Sequence, residues 1–474
     1  MSRSVVILGA GPAGLATAYF LCKDGFTDIL LLEAEKFVGG ISATMRRDDL
    51  LFDFGSHRIH PGCDRMTLDL IRNLIGDDLL TRPRRGAIWL DGRLVEYPLR
   101  AGQVALGVGI GRASYILGSF VKQRLLHRSG AEGEGEKTSE ELLVNRFGRG
   151  MYELFYKPYT TKVFGIPPSE MSPEQARRRV ASKSLMDIAR KALGSGKKEG
   201  EKSSDTFLYP RLGFGQICSA MASAIQSAGA KMVVRALPRK IVVTDGRVQQ
   251  VQYYHKKRLF TLNPNFVCST IPLPTLASFS LSASSPVRTA AKMLKTRSLV
   301  VLYIVVNQDR VGDKDAYYFA SPDMVFNRVS EQKNFSPEMA PEGKTVLCAD
   351  ISCDVTDGVW SASDEKVFQV ARESFERFGR VSVENIDYWF TRRVRHAYPV
   401  YSLGFEENLR TVLDWTDSIE NLITLGRQGL FAHNNFHHSV MMARAAADHI
   451  LSGRPKDQGW NEARKAFDDF KVID

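Results

Sequence analysis

Residues 5–14 read VVILGAGPAG, an apolar run of strand type that leads directly into three glycines spaced as GxGxxG. Apolar residues then recur at helical spacing over residues 15–21. A second apolar run, residues 29–32, ends on Glu33, nineteen residues beyond Gly14. A strand, a glycine turn, a helix, a second strand and an acidic residue in this order are typical of a dinucleotide-binding unit.

Each part of this unit has a physical task. Gly9 makes the tight turn, Gly11 lets the backbone approach a pyrophosphate, and Gly14 lets the helix pack closely on the sheet. The helix start offers free N–H groups and the positive end of its dipole to phosphates, and Glu33 can accept hydrogen bonds from a ribose diol. The candidate contacts in the turn are Gly9, Gly11, Pro12, Ala13 and Gly14.

Length and composition favour a soluble globular protein of two or three domains, since the chain has 474 residues, 44% hydrophobic and 25% charged. The net charge of +11 suggests anionic ligands or partners, such as nucleotide phosphates, an acidic substrate or an anionic lipid surface. Nucleic acid fits less well, because the basic residues are scattered and no nucleic-acid module is recognisable.

The six cysteines are widely spaced and form no CxxC, which indicates reduced thiols and no metal site. The sequence shows neither a signal peptide nor an apolar run long enough to span a membrane, so we expect a cytoplasmic protein, with peripheral membrane contact left open. No nucleophile triad and no HExxH motif are present, which disfavours a hydrolase or a metalloenzyme.

Further motifs follow the opening unit. Gly39 and Gly40, with Ser42 after them, supply permissive backbone where a second stretch of nucleotide must pass. Residues 50–54 have the pattern of a strand that ends in Gly-Ser-His57-Arg58. Residues 101–127 form an apolar, glycine-punctuated helical stretch, which could lie on a membrane, line an apolar substrate channel or belong to a helical domain.

These motifs resemble the FAD-binding flavoprotein amine oxidase superfamily, in particular its protoporphyrinogen oxidase-like branch, with similarity to UDP-galactopyranose mutases. The resemblance also rests on four later segments: KPYTTKVFGIPP at 157–168, YPRLGFG at 209–215, AYPVY at 397–401 and LGRQG at 425–429. It therefore extends over nearly the whole chain.

The resemblance implies an α/β fold, with an FAD-binding Rossmann-like (GR2-type) domain, an inserted helical substrate domain and a mixed β-sheet substrate domain. We expect the FAD-binding domain at 1–95, 206–284 and 406–474, the helical domain at 96–205 and the substrate sheet at 285–405. It also implies noncovalent FAD, contacted in addition by Val234, Gly426, Arg427 and Asn434.

Catalytic candidates come from motif-matched positions. His57 would lie beside the flavin, where it either stabilises charge or only forms structural hydrogen bonds. Arg58 and Arg211, like Arg427, could hold phosphates or a substrate carboxylate, or be structural. Tyr401 could join an aromatic wall with Tyr156, Tyr159 and Tyr398, or lie in the core.

Three classes of function remain open. The first is an FAD-dependent oxidoreductase that oxidises or desaturates a small molecule, anionic or neutral, by hydride transfer. The second is a flavin-dependent nucleotide-sugar mutase, which the arginines and the basic net charge support. The third, a flavin-free binding protein resembling Rab GDP-dissociation inhibitors, has no need for the intact glycines, Glu33 and the Gly426-Arg427 turn. The sequence favours the first class.

Overall fold

The computed structural model describes residues 4–90, 92–97, 109–126, 135–179 and 206–472. Its strands are β1 Val5–Leu8, β2 Ile29–Glu33, β3 Thr44–Arg47, β4 Leu50–Asp53, β5 Leu79–Pro83, β6 Gly86–Leu90, β7 Arg93–Tyr97, β8 Thr206–Pro210, β9 Lys231–Val234, β10 Ala236–Thr244, β11 Arg247–His255, β12 Arg258–Leu262, β13 Phe266–Ser269, β14 Thr296–Val306, β15 Ala316–Phe319, β16 Arg328–Glu331, β17 Thr345–Cys353, β18 Ile386–Pro399 and β19 Leu422–Thr424.

Its helices are α1 Pro12–Lys23, α2 Arg65–Ile75, α3 Ile110–Leu126, α4 Ser139–Met151, α5 Lys157–Phe164, α6 Pro173–Arg179, α7 Gly215–Ser227, α8 Leu273–Phe279, α9 Ser285–Met293, α10 Gly358–Ser361, α11 Asp364–Phe378, α12 Phe405–Asp417, α13 Gly426–Gly429, α14 Phe436–Ser452 and α15 Trp460–Lys465.

A parallel sheet in the order β19-β13-β1-β2-β9 forms the half of the molecule that is predicted to bind the nucleotide. Its strands are apolar on both faces: Val5 and Ile7 pack with α1, α7 and α14, whereas Val6 and Leu8 pack with the β10–β12 meander, α8, α9 and α12. Segments that are far apart in the sequence build this sheet, since β13 pairs with β1 and β19 pairs with β13. The predicted α/β fold class is confirmed.

A second, mixed sheet runs in the order β18-β14-β17-β16-β15-β6-β7. Strand β14, between β18 and β17, is almost wholly buried and packs between α11 on one face and β4 on the other. The β6–β7 hairpin pairs with β15 in this sheet, although the sequence division above places it in the first FAD-binding segment. The domain boundaries themselves stay predictions.

In the sequence, helices α3 to α6 lie between β2 and β9, two strands of the parallel sheet. Helices α3 and α4 approach closely because α4 carries glycines at the contact. A Cβ on Gly150 would come within 2.8 Å of the Ile116 Cα, and a Cβ on Gly148 within 2.8 Å of the Phe120 Cα. The rest of the predicted 101–127 helical stretch, residues 101–108 and 127, lies outside the described residues.

Candidate functional site

The glycine turn after β1 has the form of a phosphate cradle. Gly9 has a φ of +98°, which a side chain would strain, and a Cβ on Gly11 would meet no atom within 4 Å. The open space at Gly11 faces the start of α1, where Pro12 and Ala13 occupy the first helical positions. A pyrophosphate fits this space, since backbone N–H groups and the helix dipole favour an anion there.

Glu33 is held rigidly at the end of β2. Its two carboxylate oxygens accept hydrogen bonds from the backbone N–H groups of Ala10 and Glu35, both at 2.8 Å. Burial raises the pKa of this carboxyl. Val234 stands directly beside Glu33 in the parallel register of β2 and β9, so the predicted ribose and adenine contacts lie next to each other.

The second glycine pair folds back onto the first turn. Gly39 and Gly40 both have positive φ, +100° and +54°, and the Gly39 N–H donates to the Ala10 carbonyl at 2.7 Å. A Cβ on Gly40 would lie 3.6 Å from the Cα of Gly11. Ser42 follows in a buried position. These residues therefore line one continuous strip of backbone around the space at Gly11.

The C-terminal motif closes the same region from the other side. Gly426 has a φ of +80°, and a Cβ there would lie 2.8 Å from the Ala13 Cβ, at the start of α1. The Arg427 guanidinium donates to the Asn434 carbonyl at 2.6 Å, which ties the turn to the segment before α14. The structure thus gathers the predicted cofactor residues, and their contacts with FAD stay a prediction.

His57 lies half-buried beside this cradle, with its ring 5.3 Å from that of Phe214. Burial, followed by the nearby charges of Arg427 and Arg328, lowers the pKa of His57 to about 3. The imidazole is therefore neutral at physiological pH. Its buried Nδ1 has no hydrogen-bond partner among the residues described, as expected of an atom that meets a bound molecule.

The other predicted catalytic residues have protein partners. Arg58 forms a 2.8 Å ion pair with Asp315 and lies over two phenylalanine rings. Arg211 forms ion pairs with Asp78 and Glu338 at 3.0 and 2.7 Å. These contacts match the structural alternative for both arginines, and a catalytic role for either stays a prediction.

Tyr401 also has a structural environment. Its hydroxyl donates to the Phe431 carbonyl at 3.0 Å and accepts from the His433 N–H at 3.3 Å, and its ring stacks on Phe405 at 4.0 Å. Burial raises its pKa to about 12. The side chain therefore fixes the loop that follows Gly426-Arg427, and its membership of an aromatic wall at the substrate stays a prediction.

The structure brings together a cluster that we call the arginine–tyrosine site, of which the sequence indicated Tyr159 and Tyr398 as aromatic-wall candidates but not the other three members. It consists of Arg179, Arg328, Tyr159, Tyr318 and Tyr398. The rings of Tyr159 and Tyr318 lie 6.2 Å apart, and the Arg179 guanidinium lies 5.4 Å from the centre of the Tyr398 ring. Arg328 is also close enough to His57 to lower its pKa, so the site adjoins the cofactor cradle.

Arg328 is held by a buried ion pair with Asp350, whose Oδ2 accepts from the Arg328 Nε at 2.7 Å. No motif marks Arg328, because it is the first residue of the short strand β16 and faces its partner Asp350 only after the sheet has formed. The run Arg177-Arg178-Arg179 was visible in the sequence, but nothing there distinguished Arg179 from its neighbours.

Within the described ranges, no group of three or more His, Cys, Asp or Glu side chains could hold a metal ion. None of the helices that they contain is both long and apolar enough to cross a bilayer.

Comparison with known proteins identifies relatives along most of the chain. A "Probable UDP-galactopyranose mutase" from Klebsiella pneumoniae is 21% identical over 455 residues, 95% of either chain. The chloroplastic protoporphyrinogen oxidase of Nicotiana tabacum is 24% identical over 208 residues, which cover 44% of this chain and 37% of that one.

Solved structures share the fold. A reduced UDP-galactopyranose mutase superposes with a TM-score of 0.82 at 21% identity, covering 99% of this chain and 100% of the other. Putrescine oxidase with bound putrescine superposes with a TM-score of 0.64 at 15% identity, over 95% and 99% of the two chains.

The resemblance predicted from the motifs is thereby confirmed. The family model described as flavin containing amine oxidoreductase matches residues 12–411, most of the chain. The chain therefore belongs to the flavin-containing amine oxidoreductase family.

Proposed function

We propose that this member of the family is an FAD-dependent oxidoreductase that oxidises or desaturates a small molecule carrying a negatively charged group. The arginine–tyrosine site beside His57 is the observation that carries the proposal. It supplies fixed positive charge and hydroxyl donors next to the cofactor cradle, and such a site favours an anion over a neutral or cationic substrate.

FAD, held without a covalent bond, is the cofactor, and when bound it supplies the hydride acceptor. The open space at Gly11 and the oriented carboxylate of Glu33 fit its pyrophosphate and ribose. Arg427 and Asn434 then fix the opposite wall of the cradle.

Arg179 is the residue best suited to bind the anionic group. It forms no ion pair with any described residue, while its guanidinium lies over the rings of Phe164 and Tyr398. Stacking on two rings limits its rotamers, so little freedom is lost when the planar fork meets a carboxylate or a phosphate. Arg328, by contrast, already shares its charge with Asp350.

The tyrosines act as donors. Burial raises the pKa of Tyr159, so its hydroxyl stays protonated throughout the physiological range. A protonated hydroxyl in a poorly solvated site can donate to an anion without adding charge. Together with the neutral His57, it orients the substrate while the arginine supplies the attraction.

A second candidate is a nucleotide-sugar mutase, in which the flavin takes part without net oxidation. The full-length likeness to a protein named as a UDP-galactopyranose mutase favours it, and the phosphates of a nucleotide-sugar would satisfy the same arginines. The two candidates differ in whether turnover consumes an oxidant.

Anaerobic titration of the purified holoenzyme tests the proposal. We expect an anionic substrate to bleach the oxidised flavin, with one oxidant consumed per product during aerobic turnover. Arg179→Met should raise KM at least about tenfold, the loss of one charge-assisted interaction. The surface variant Arg372→Met is the matched control. Turnover of a nucleotide-sugar without oxidant consumption would establish the mutase instead, and an unchanged KM for Arg179→Met would remove the anionic site.

His57 should affect the rate more than binding. Since its imidazole is neutral with a free Nδ1, we expect His57→Ala to slow single-turnover flavin reduction about 100- to 1,000-fold at full FAD content. Because its pKa is about 3, His57 contributes no titration between pH 5 and 9, so wild type and His57→Gln should share the shape of their pH profiles. A His57→Ala variant with full FAD and an unchanged rate would refute this role.

A further inference from the structure

We propose that helix α3 docks this enzyme onto the surface of an anionic phospholipid bilayer. The inference is independent of the reaction catalysed. It concerns the outward face of α3, which we call the α3 stripe and define as Leu117, Val121 and Leu125.

The α3 stripe is an exposed apolar line on one side of a helix. Its three residues follow one another at intervals of four, so they lie on the same face. Their exposed fractions are 63%, 47% and 63%. Exposed apolar patches of this kind mark interaction surfaces.

The orientation of the α3 stripe is fixed by the opposite face. Ile116 and Phe120 are buried against α4, where Gly148 and Gly150 allow the two backbones to approach closely. Rotating α3 to bury the stripe would break this glycine-dependent contact. The stripe therefore faces outward because α3 packs tightly on its other side.

The charges on α3 and in the sequence that flanks it point to the partner. From residue 98 to residue 131 the sequence contains five arginines or lysines and no aspartate or glutamate: Arg100, Arg112, Lys122, Arg124 and Arg128. A helix with an apolar line and only basic charges binds in the interface of anionic membranes.

The length of α3 agrees with a position in the plane of the membrane. Its 17 residues make it about 25 Å long, and like the other described helices it is not long and apolar enough to cross a bilayer. The docked helix would then lie flat, with the stripe inserted below the headgroups.

Vesicle flotation of the full-length holoenzyme tests the inference. We expect binding to vesicles of phosphatidylcholine mixed with phosphatidylglycerol, weak binding to phosphatidylcholine alone, and a decrease at high salt. The triple variant Leu117→Gln, Val121→Gln, Leu125→Gln should partition at least about tenfold less, with its flavin content and turnover in solution unchanged.

The chain offers a matched control on the β10–β12 meander. Leu237 and Leu259 are 50% and 52% exposed, and they too have basic neighbours, such as Arg239 and Arg258. The variant Leu237→Gln, Leu259→Gln should bind vesicles like wild type. Failure of the wild type to bind anionic vesicles would overturn the inference, as would lost binding in the control alone.

The oligomeric state provides the last discrimination. If the α3 stripe instead contacts a second copy of the chain, light scattering will show a dimer in the wild type that the triple variant loses, with no vesicle binding by either. That result would overturn membrane docking. We expect the wild type and the triple variant to have the same mass in solution.

Discussion

The variant Gly11→Val should fold normally and lose its FAD. Gly11 has a φ of −76°, which any residue can adopt, and a Cβ there meets no atom within 4 Å. A valine is therefore tolerated by the protein, but it fills the space in which the pyrophosphate must approach the backbone. Flavin absorbance of the purified variant should be close to zero, while the melting temperature of the apoprotein equals that of wild-type apoprotein.

The neighbouring variant Gly14→Ala should instead destabilise the protein itself. A Cβ at Gly14 would lie 2.0 Å from the carbonyl oxygen of Gly9, so α1 must move away from β1. Overpacking of this kind costs about 1–3 kcal/mol or more, and the apoprotein should melt below wild type. Gly358→Ala, at another open glycine, is the control and should change neither flavin content nor melting temperature.

Wild-type flavin content in Gly11→Val would show that the turn does not bind the cofactor.

The second large effect is expected when the buried ion pair of the arginine–tyrosine site is broken. Asp350 is 1% exposed, and Arg328 is its ion-pair partner. Arg328→Met leaves a buried carboxylate without a counter-charge, which typically costs about 3–5 kcal/mol. The melting temperature of the apoprotein should fall clearly, and the double variant Arg328→Met, Asp350→Asn should recover part of the loss.

This prediction has a pH dependence of known sign. Burial raises the pKa of Asp350, and Arg328 partly offsets the shift. Without Arg328 the pKa rises further above its unfolded value, so the folded state gains stability as the carboxyl takes up a proton. The deficit of Arg328→Met relative to wild type should therefore shrink from pH 8 to pH 5.

The exposed pair Arg372–Glu376 supplies the control for the ion-pair experiment. Its side chains are about half exposed, and such helical pairs contribute only about 0.3–0.5 kcal/mol. Arg372→Met should therefore melt close to wild type at both pH values. Equal losses in Arg328→Met and Arg372→Met would contradict the assignment of a stabilising buried pair.

The nucleotide-binding unit could be predicted from the sequence because its determinants are local. The strand, the glycine turn, the helix and Glu33 lie within the first 33 residues. The spacing of the three glycines indicates where the backbone must turn tightly, approach the pyrophosphate and let the helix pack closely. The structure places Gly9, Gly11 and Gly14 accordingly. The neutrality of His57, in contrast, depends on burial and on Arg328, which is far away in the sequence.

The sequence by itself determined the fold class and the family, and it indicated the glycine turn that we propose as the cofactor cradle, because local patterns and motif spacing carry that information. The tertiary structure alone decided the partners of the arginines. Arg58 and Arg211 pair with carboxylates, whereas Arg179 and Arg328 lie with the tyrosines, Arg328 being paired with Asp350 as well. It also decided that Leu117, Val121 and Leu125 face outward. Charge pairing and burial depend on strands and helices that are brought together only by folding, so no local pattern can specify them.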